Sequence, residues 1–464
     1  MNIAFVANGF KTEFFHLIGM ELKSIIPDIG LFFICFGREQ YGYYKSSGVS
    51  DNNILFLPYS GYSSNNDNPI GEYKLNELIA YDRAMKYSYH KWLKYMVNIQ
   101  SDYYAFLVRN DIQYVFGEMT WAPEILFARI CRDKLNGKCT YLHPQSIRIP
   151  NGRFTFMDSE FQDGIYEKAE YWQDKQILKN YNIPLQPIVP QRVADVAKDV
   201  RSKMSWSEAI LRFMRFLTIN QIRDFTRRDK DLYCQVPIKK KRYLAYRFER
   251  NKFYYLHCLK TSAWEEIKGK KYVFVTLHMQ PEASIDVVGR YYEDQLQNIK
   301  NIWRILPFDY YLVVKEHTNA IANRGKDFFE PLKKMRNLII ANENIDSHQI
   351  IKFSQGVFTN SGTVALEAAL FKKHSFLFSS IFFDKIKYCH RVTWDDFKTC
   401  SSYLDLYEKC INRDSNKMDV DSYSEYILRS SFAGVVDPHT GSPLFKDPDN
   451  IKTIAKSFAT FLNL

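Results

Sequence analysis

The chain has 464 residues, 46% hydrophobic and 25% charged, with 19 Gly and 16 Pro. That length exceeds one ordinary core and that composition excludes a disordered, collagen-like or low-complexity chain, so two domains of about 150–200 residues are expected. The formal net charge is +11, and residues 191–260 alone hold 18 Lys or Arg against 7 Asp or Glu, an excess equal to the whole.

The opening Met1-Asn-Ile-Ala-Phe-Val-Ala7 has neither a basic flank nor a cleavage-like site and reads as a strand over 3–7. A helix over 13–24, strands over 30–36 and 53–57, a long helix over 75–108 and a strand over 112–116 follow, an alternation that predicts a parallel sheet covered by helices. The longest apolar run, 29–36, is far below the about 18 residues of a membrane span, so the chain is expected in the cytoplasm. Eight cysteines are scattered without C-x-x-C spacing and read as reduced packing thiols.

Between the two halves, residues 206–217 place Trp206, Ile210, Phe213, Met214 and Leu217 at helical spacing among arginines, and Lys239–Arg242 extends the positive run. This basic amphipathic segment suits an anionic membrane face or lipid-linked acceptor, a solvated helical insertion, or nucleic acid. No nucleic-acid-binding module signature supports the last. A second series then begins: strands over 272–277, 310–314, 338–341, 356–359 and 375–378, with helices over 291–305, 348–353 and 363–371. The predicted fold class is therefore α/β, with two doubly wound, Rossmann-like domains and a basic helical insertion between them. The expected boundaries are 1–165 (first Rossmann-like domain), 166–265 (basic linker), 266–395 (second Rossmann-like domain) and 396–464 (a helical tail packing back).

Three strand ends in the second series carry chemistry. The turn Asn360-Ser361-Gly362-Thr363 precedes a helix whose first N–H groups can hold a phosphate, with Glu367 one turn on and aimed at a ribose hydroxyl; a plain helix cap is the alternative reading. Lys315 and His317 leave another strand, placed to neutralise a phosphate. His278, Gln280, Glu282 and Ser284 leave a third, where a carboxylate can act as nucleophile or base. In a parallel sheet these ends converge on one crevice. In the first series Asn8, Gly9 and Glu118 end strands, Glu118 being suited to take a proton from an attacking hydroxyl, and Arg148, Asn151 and Arg153 form a donor-rich turn.

Over residues 270–385 the sequence resembles the bacterial capsule and lipopolysaccharide glycosyltransferases of the Kdo-transferase type. The resemblance rests on Gln280, Glu282 and Ser284, on Lys315 and His317, and on Asn360, Ser361 and Gly362. It implies a GT-B-like fold and a CMP-activated ulosonic acid as donor, with Glu282 as the covalent nucleophile of a retaining reaction. Two positions depart from the family pattern: Thr318 follows His317 where Pro is common, and the acidic residue is Glu282, after Pro281, rather than Asp.

The expected activity is thus transfer of a Kdo-like sugar from a CMP donor to a bacterial surface glycan or lipid-linked glycan, with residues 191–260 on the inner membrane surface and no nucleic-acid partner. Glu282, His317 and Glu118 are the expected catalytic groups. No cofactor or metal is expected, since a helix dipole and cationic side chains can carry the charge and no Asp-x-Asp element stands out as a metal site. The alternatives are a UDP-sugar transferase or 2-epimerase, a teichoic-acid-type polyol-phosphate transferase, and a non-enzymatic membrane-docking scaffold.

Overall fold

The computed structural model describes residues 1–8, 11–58, 62, 69–82, 89–148, 150–166, 168, 207, 210–211, 214–215, 238–437 and 445–463. These form two compact units: the described residues up to 168 together with those from Tyr426 onward, and Ile238–Glu425. Each is doubly wound and Rossmann-like. Most of the predicted basic helix around 206–217 and of the basic segment before 238, together with Gly9, lies outside the described residues.

The first unit is built on β1 (Asn2–Ala7), β2 (Gly30–Cys35), β3 (Ile54–Phe56), β4 (Ile112–Phe116), β5 (Thr140–Ser146), β6 (Arg153–Met157) and, from the far end of the chain, β13 (Phe432–Ala433). Their order is β13-β6-β5-β4-β1-β2-β3. The pairs from β5 through β3 are parallel, while β6 runs antiparallel to both β5 and β13. Because helices cover both faces, β1 is apolar and buried along Ile3–Ala7 without polar alternation. Direction reverses between β1 and β4, so their carboxyl ends border the crevice where such sheets bind ligands.

Two helices, Leu75–Tyr81 and Tyr89–Arg109, stand where one helix over 75–108 is predicted. The break begins at Asp82, whose extended backbone ends the first helix and whose buried carboxylate accepts the Ala122 N–H. The predicted tail also divides. Helices Trp394–Thr399 and Tyr403–Arg413 belong to the second unit, whereas β13 and the helix Pro448–Asn463 complete the first. Phe458 and Phe461 of that last helix pack on the sheet, with ring centroids 4.8 Å from Phe116 and 4.3 Å from Phe156 respectively.

The second unit is an all-parallel sheet of β7 (Tyr272–Thr276), β8 (Tyr311–Lys315), β9 (Leu338–Ala341), β10 (Val357–Thr359), β11 (Ser375–Leu377) and β12 (Cys389–Arg391), ordered β12-β11-β10-β7-β8-β9. Its reversal falls between β7 and β10. The helix predicted over 291–305 starts at Gln295, because the Asp294 carboxylate accepts the Gln297 N–H at 2.9 Å and caps it there. Among the described residues no helix is long and apolar enough to cross a membrane, and the seven described cysteines are unpaired.

Candidate functional site

Of the strand ends singled out in the second series, those of β7 and β10 meet at the reversal, and that of β8 lies beside β7. His278, one residue past the buried Leu277, is itself buried. The Asn360 N–H donates to its Nε2 at 3.1 Å, which fixes that nitrogen as an acceptor, and the Thr359 hydroxyl lies 2.9 Å from the same atom. Burial lowers the His278 pKa to about 3, with His317 and Arg324 pushing the same way, so the ring is neutral and acts as a bolt between β7 and β10. A side chain on Gly362 would place its Cβ 2.7 Å from Thr359 Oγ1 and 3.1 Å from the His278 ring, so the turn closes against the bolt only with glycine there.

The turn itself is braced from inside. Asn360 donates to the carbonyls of Tyr292 (2.8 Å) and Gly289 (3.3 Å) and accepts from the Ser379 hydroxyl at 2.8 Å. The Ser361 hydroxyl donates to the Ser284 carbonyl. Both side chains are buried, so they shape the turn; the Ala365 N–H is taken by the Gly362 carbonyl at 3.1 Å, and the groups left toward a ligand are the backbone N–H groups of Thr363 and Val364 and the half-buried Thr363 side chain. Glu367 is engaged by His348 Nε2 at 3.1 Å, a hydrogen bond that raises the His348 pKa.

The loop after β7 carries Glu282, half-buried, its Oε2 accepting from the Ser284 hydroxyl at 3.0 Å. Two residues that sequence reasoning missed position this loop. Buried Asp286 accepts from Gln280 Nε2 and the Glu282 N–H, both at 3.0 Å, and buried Gln295 accepts the His278 N–H at 2.7 Å while donating to Gln280 Oε1 at 3.2 Å. Their signal was faint: a carboxylate four residues after Glu282, and a polar residue opening a helix.

At the end of β8, Lys315 Nζ donates to Ser347 Oγ at 3.1 Å, and burial lowers its pKa against the opposing pull of Asp346, Glu343, Glu316 and Glu367. The His317 Nδ1 accepts the Asn319 N–H at 3.2 Å, leaving Nε2 as the protonated nitrogen. Burial, reinforced by Lys315 and Arg324, lowers the His317 pKa to about 4. His317 therefore offers a neutral N–H donor, not the positive charge expected of it.

In the first unit Asn8 and Glu118 meet at the β1–β4 reversal. Asn8 Nδ2 donates to Glu118 at 3.1 Å and to Glu124 at 2.9 Å, and Lys11 Nζ lies 2.8 Å from Glu118. Burial would raise the Glu118 pKa, but Lys11 and His143, with hydrogen bonds from Lys11 and Asn8, overcome it and take it to about 2. Burial and the Glu118 charge push Glu124 far upward, so the cluster's proton sits on Glu124. Glu118 is thus a fixed anion and a weak base, which does not fit the proton-accepting role expected of it. Buried Asn8 Oδ1 and His143 Nδ1 have no hydrogen-bond partner among the described residues.

The predicted donor-rich turn is the β5–β6 hairpin. Arg148 pairs at the surface with Asp437 at 3.4 Å, and Asn151 Oδ1 accepts the Gly152 N–H at 2.9 Å. Arg153 is buried, with its guanidinium held by the Ser431 hydroxyl at 2.8 Å and by carbonyls of Leu428 and Ser431. It fastens β13 to β6 and is not open to a ligand. No cluster of three or more His, Cys, Asp or Glu suited to a metal occurs among the described residues.

No family model matches the chain, and no curated protein matches it. Among solved structures, the KpsC beta Kdo 2,7 transferase of Thermosulfurimonas dismutans is 11% identical over 92% of this chain and 99% of its own, with a TM-score of 0.34. The UDP-GlcNAc 2-epimerase of Methanocaldococcus jannaschii is also 11% identical over 92% and 99%, with a TM-score of 0.26. A glycosyltransferase from Rickettsia africae ESF-5 is 13% identical over 100% and 93%, with a TM-score of 0.23. These likenesses are remote, and the fold assignment rests on this chain's own strand order: two doubly wound sheets, each with polar residues gathered where its strand order reverses.

Proposed function

We propose that the chain is a glycosyltransferase that moves a Kdo-like ulosonic acid from a CMP donor to a bacterial surface glycan. The observation that carries this reading is the crevice at the β7–β10 reversal, where Glu282, the Thr363 turn and the His317 N–H gather around a braced, glycine-dependent strand end. Such a reversal is where open α/β sheets take nucleotides. A helix start supplies phosphate donors without lysine, and buried, prefixed donors stabilise a leaving phosphate at little reorganisation cost.

In the proposed reaction a Glu282 carboxylate oxygen bonds to the anomeric carbon as the bond to the CMP oxygen breaks, CMP leaving with the electron pair. The acceptor hydroxyl then attacks the same carbon, loses its proton to solvent or a nearby base, and frees Glu282, with net retention. The first turn after Gly362 and the His317 N–H hold the departing CMP. The Glu118 anion orients Asn8 and Lys11 on the acceptor side, and the basic segment 191–260 holds the enzyme to an anionic membrane surface.

The test is release of CMP from CMP-Kdo, with UDP-GlcNAc as the competing donor. The wild-type chain is expected to turn over CMP-Kdo, and Glu282→Gln to lose at least 100-fold in rate while still binding CMP. Turnover of UDP-GlcNAc alone, or full activity in Glu282→Gln, contradicts the reading.

A further inference from the structure

A cavity of about 290 Å³ lies within the second unit, lined by Arg247, Arg250 and Asn251 of the helix Ile238–Phe253, by Gln280, and by residues 323–325, 327 and 328. Its volume falls just below the ~300–1,000 Å³ typical of small-ligand sites and exceeds what an ion requires.

The cavity is strongly cationic, and part of its wall is preorganised. Arg324 is held by Glu316 at 2.6 Å and by the His278 carbonyl, and its guanidinium lies 5.1 Å from the Phe328 ring centroid. Arg247 and Arg250 are exposed and form no ion pair with any described residue. Asp327 is the one carboxylate in the lining.

The wall opposite is packed to hold this shape. Asn251 is buried and donates to the Asn323 carbonyl at 3.2 Å, and a Cβ on Gly325 would come within 2.2 Å of the Asn251 Oδ1. Gly325 also opens the eight-residue helix Lys326–Lys333, whose free N–H groups and dipole add to the positive field. Gln280 uses one amide N–H on Asp286 and one lone pair on Gln295, which leaves a donor and an acceptor for a hydroxyl.

We propose that this cavity is an oxyanion site that seats the phosphate or carboxylate of a ligand about the size of one sugar. Two guanidinium forks with no ion-pair partner among the described residues match the planar geometry of either group. Part of the basic segment thereby has a use other than a membrane face. The nucleotide reading is not needed for this site, which shares only Gln280 with the residues assigned there.

The test is calorimetric titration of the full chain with glucose 6-phosphate, glucuronate, inorganic phosphate and, as the uncharged control, glucose. At least one of the two acidic sugars is expected to bind and glucose to give no signal; whichever of the two binds more tightly identifies the phosphate or the carboxylate as the natural group. Arg247→Ala with Arg250→Ala is expected to weaken that ligand at least tenfold while CMP binding is unchanged. Asp327→Asn is expected to tighten it, a gain that a misfolded variant would not give. Silence from all the anions, equal binding of glucose, or affinity indifferent to both variants overturns the proposal. Inorganic phosphate binding without either acidic sugar also overturns it, because the site would then be one for a bare ion.

Discussion

His278 holds two neighbours of the sheet together through one nitrogen, accepting from the Thr359 hydroxyl and the Asn360 N–H. Removing the ring leaves those two donors buried and unsatisfied, an outcome that costs about 1–3 kcal/mol per group. His278→Ala is therefore expected to lower unfolding free energy by about 2–4 kcal/mol in urea denaturation, and to weaken any ligand held by the 360–363 turn. A change below ~0.5 kcal/mol, the range of ordinary surface substitutions, would show that the ring does not join the strands. Glu282, in contrast, is half-buried and bonds only within its own loop, to the Ser284 hydroxyl and the Asp286 carboxylate. It is the acidic group of this crevice left in reach of a substrate, and the one whose replacement should cost rate more than stability.

At the scale of elements, the closing helix Pro448–Asn463 is as much a part of the first unit as its sheet. Phe458 is fully buried, with Phe116 at 4.8 Å, Phe156 at 5.0 Å and Phe154 at 5.9 Å between ring centroids. Phe458→Ala is expected to cost about 3–5 kcal/mol and to lower the first unfolding transition in calorimetry while sparing a nucleotide-stabilised second one. The parallel strands were legible in the sequence because β1, β4, β7 and β8 are apolar runs that end abruptly in polar residues, and that ending also located Asn8, Glu118, His278 and Lys315. The hairpin of β5 and β6 was not: His143 and Pro144 interrupt the first strand's apolar run, and two-residue β13 is defined only by its pairing with Phe154 and Arg153. Nor could spacing reveal that the Ser361 hydroxyl meets the Ser284 carbonyl or that Lys11 neutralises Glu118, because folding, and not sequence proximity, brings those groups together.

Over the whole molecule, burial makes neutral imidazoles a condition of the folded state. His278 has its pKa lowered to about 3, and His143, His317 and His374 to about 4, each chiefly by desolvation. The unfolded chain binds protons on these groups from about pH 6.5 downward while the folded chain does not. The stability they contribute is therefore present above pH 6.5 and is lost progressively as the pH falls toward 4. Burial also lowers His16 and His390, so His348, raised by its bond to Glu367, works in the opposite sense as one group against six. Melting temperature is expected to fall between pH 7 and pH 5, before the ordinary carboxylates titrate; a flat profile over that interval would contradict the burial of these rings. Below pH 4.5 Glu118 and Asp414, lowered to about 2, add to the loss, because the unfolded chain then protonates these carboxyls while the folded chain still holds them ionised.

The central claim is that the β7–β10 crevice binds a cytidine nucleotide, and calorimetric titration of the intact chain with CMP, UDP and CDP tests it most directly, repeated on Ser361→Ala with Thr363→Ala. The account predicts that CMP binds selectively and that the paired substitution abolishes it. Binding of UDP alone, or of no nucleotide at all, would contradict it.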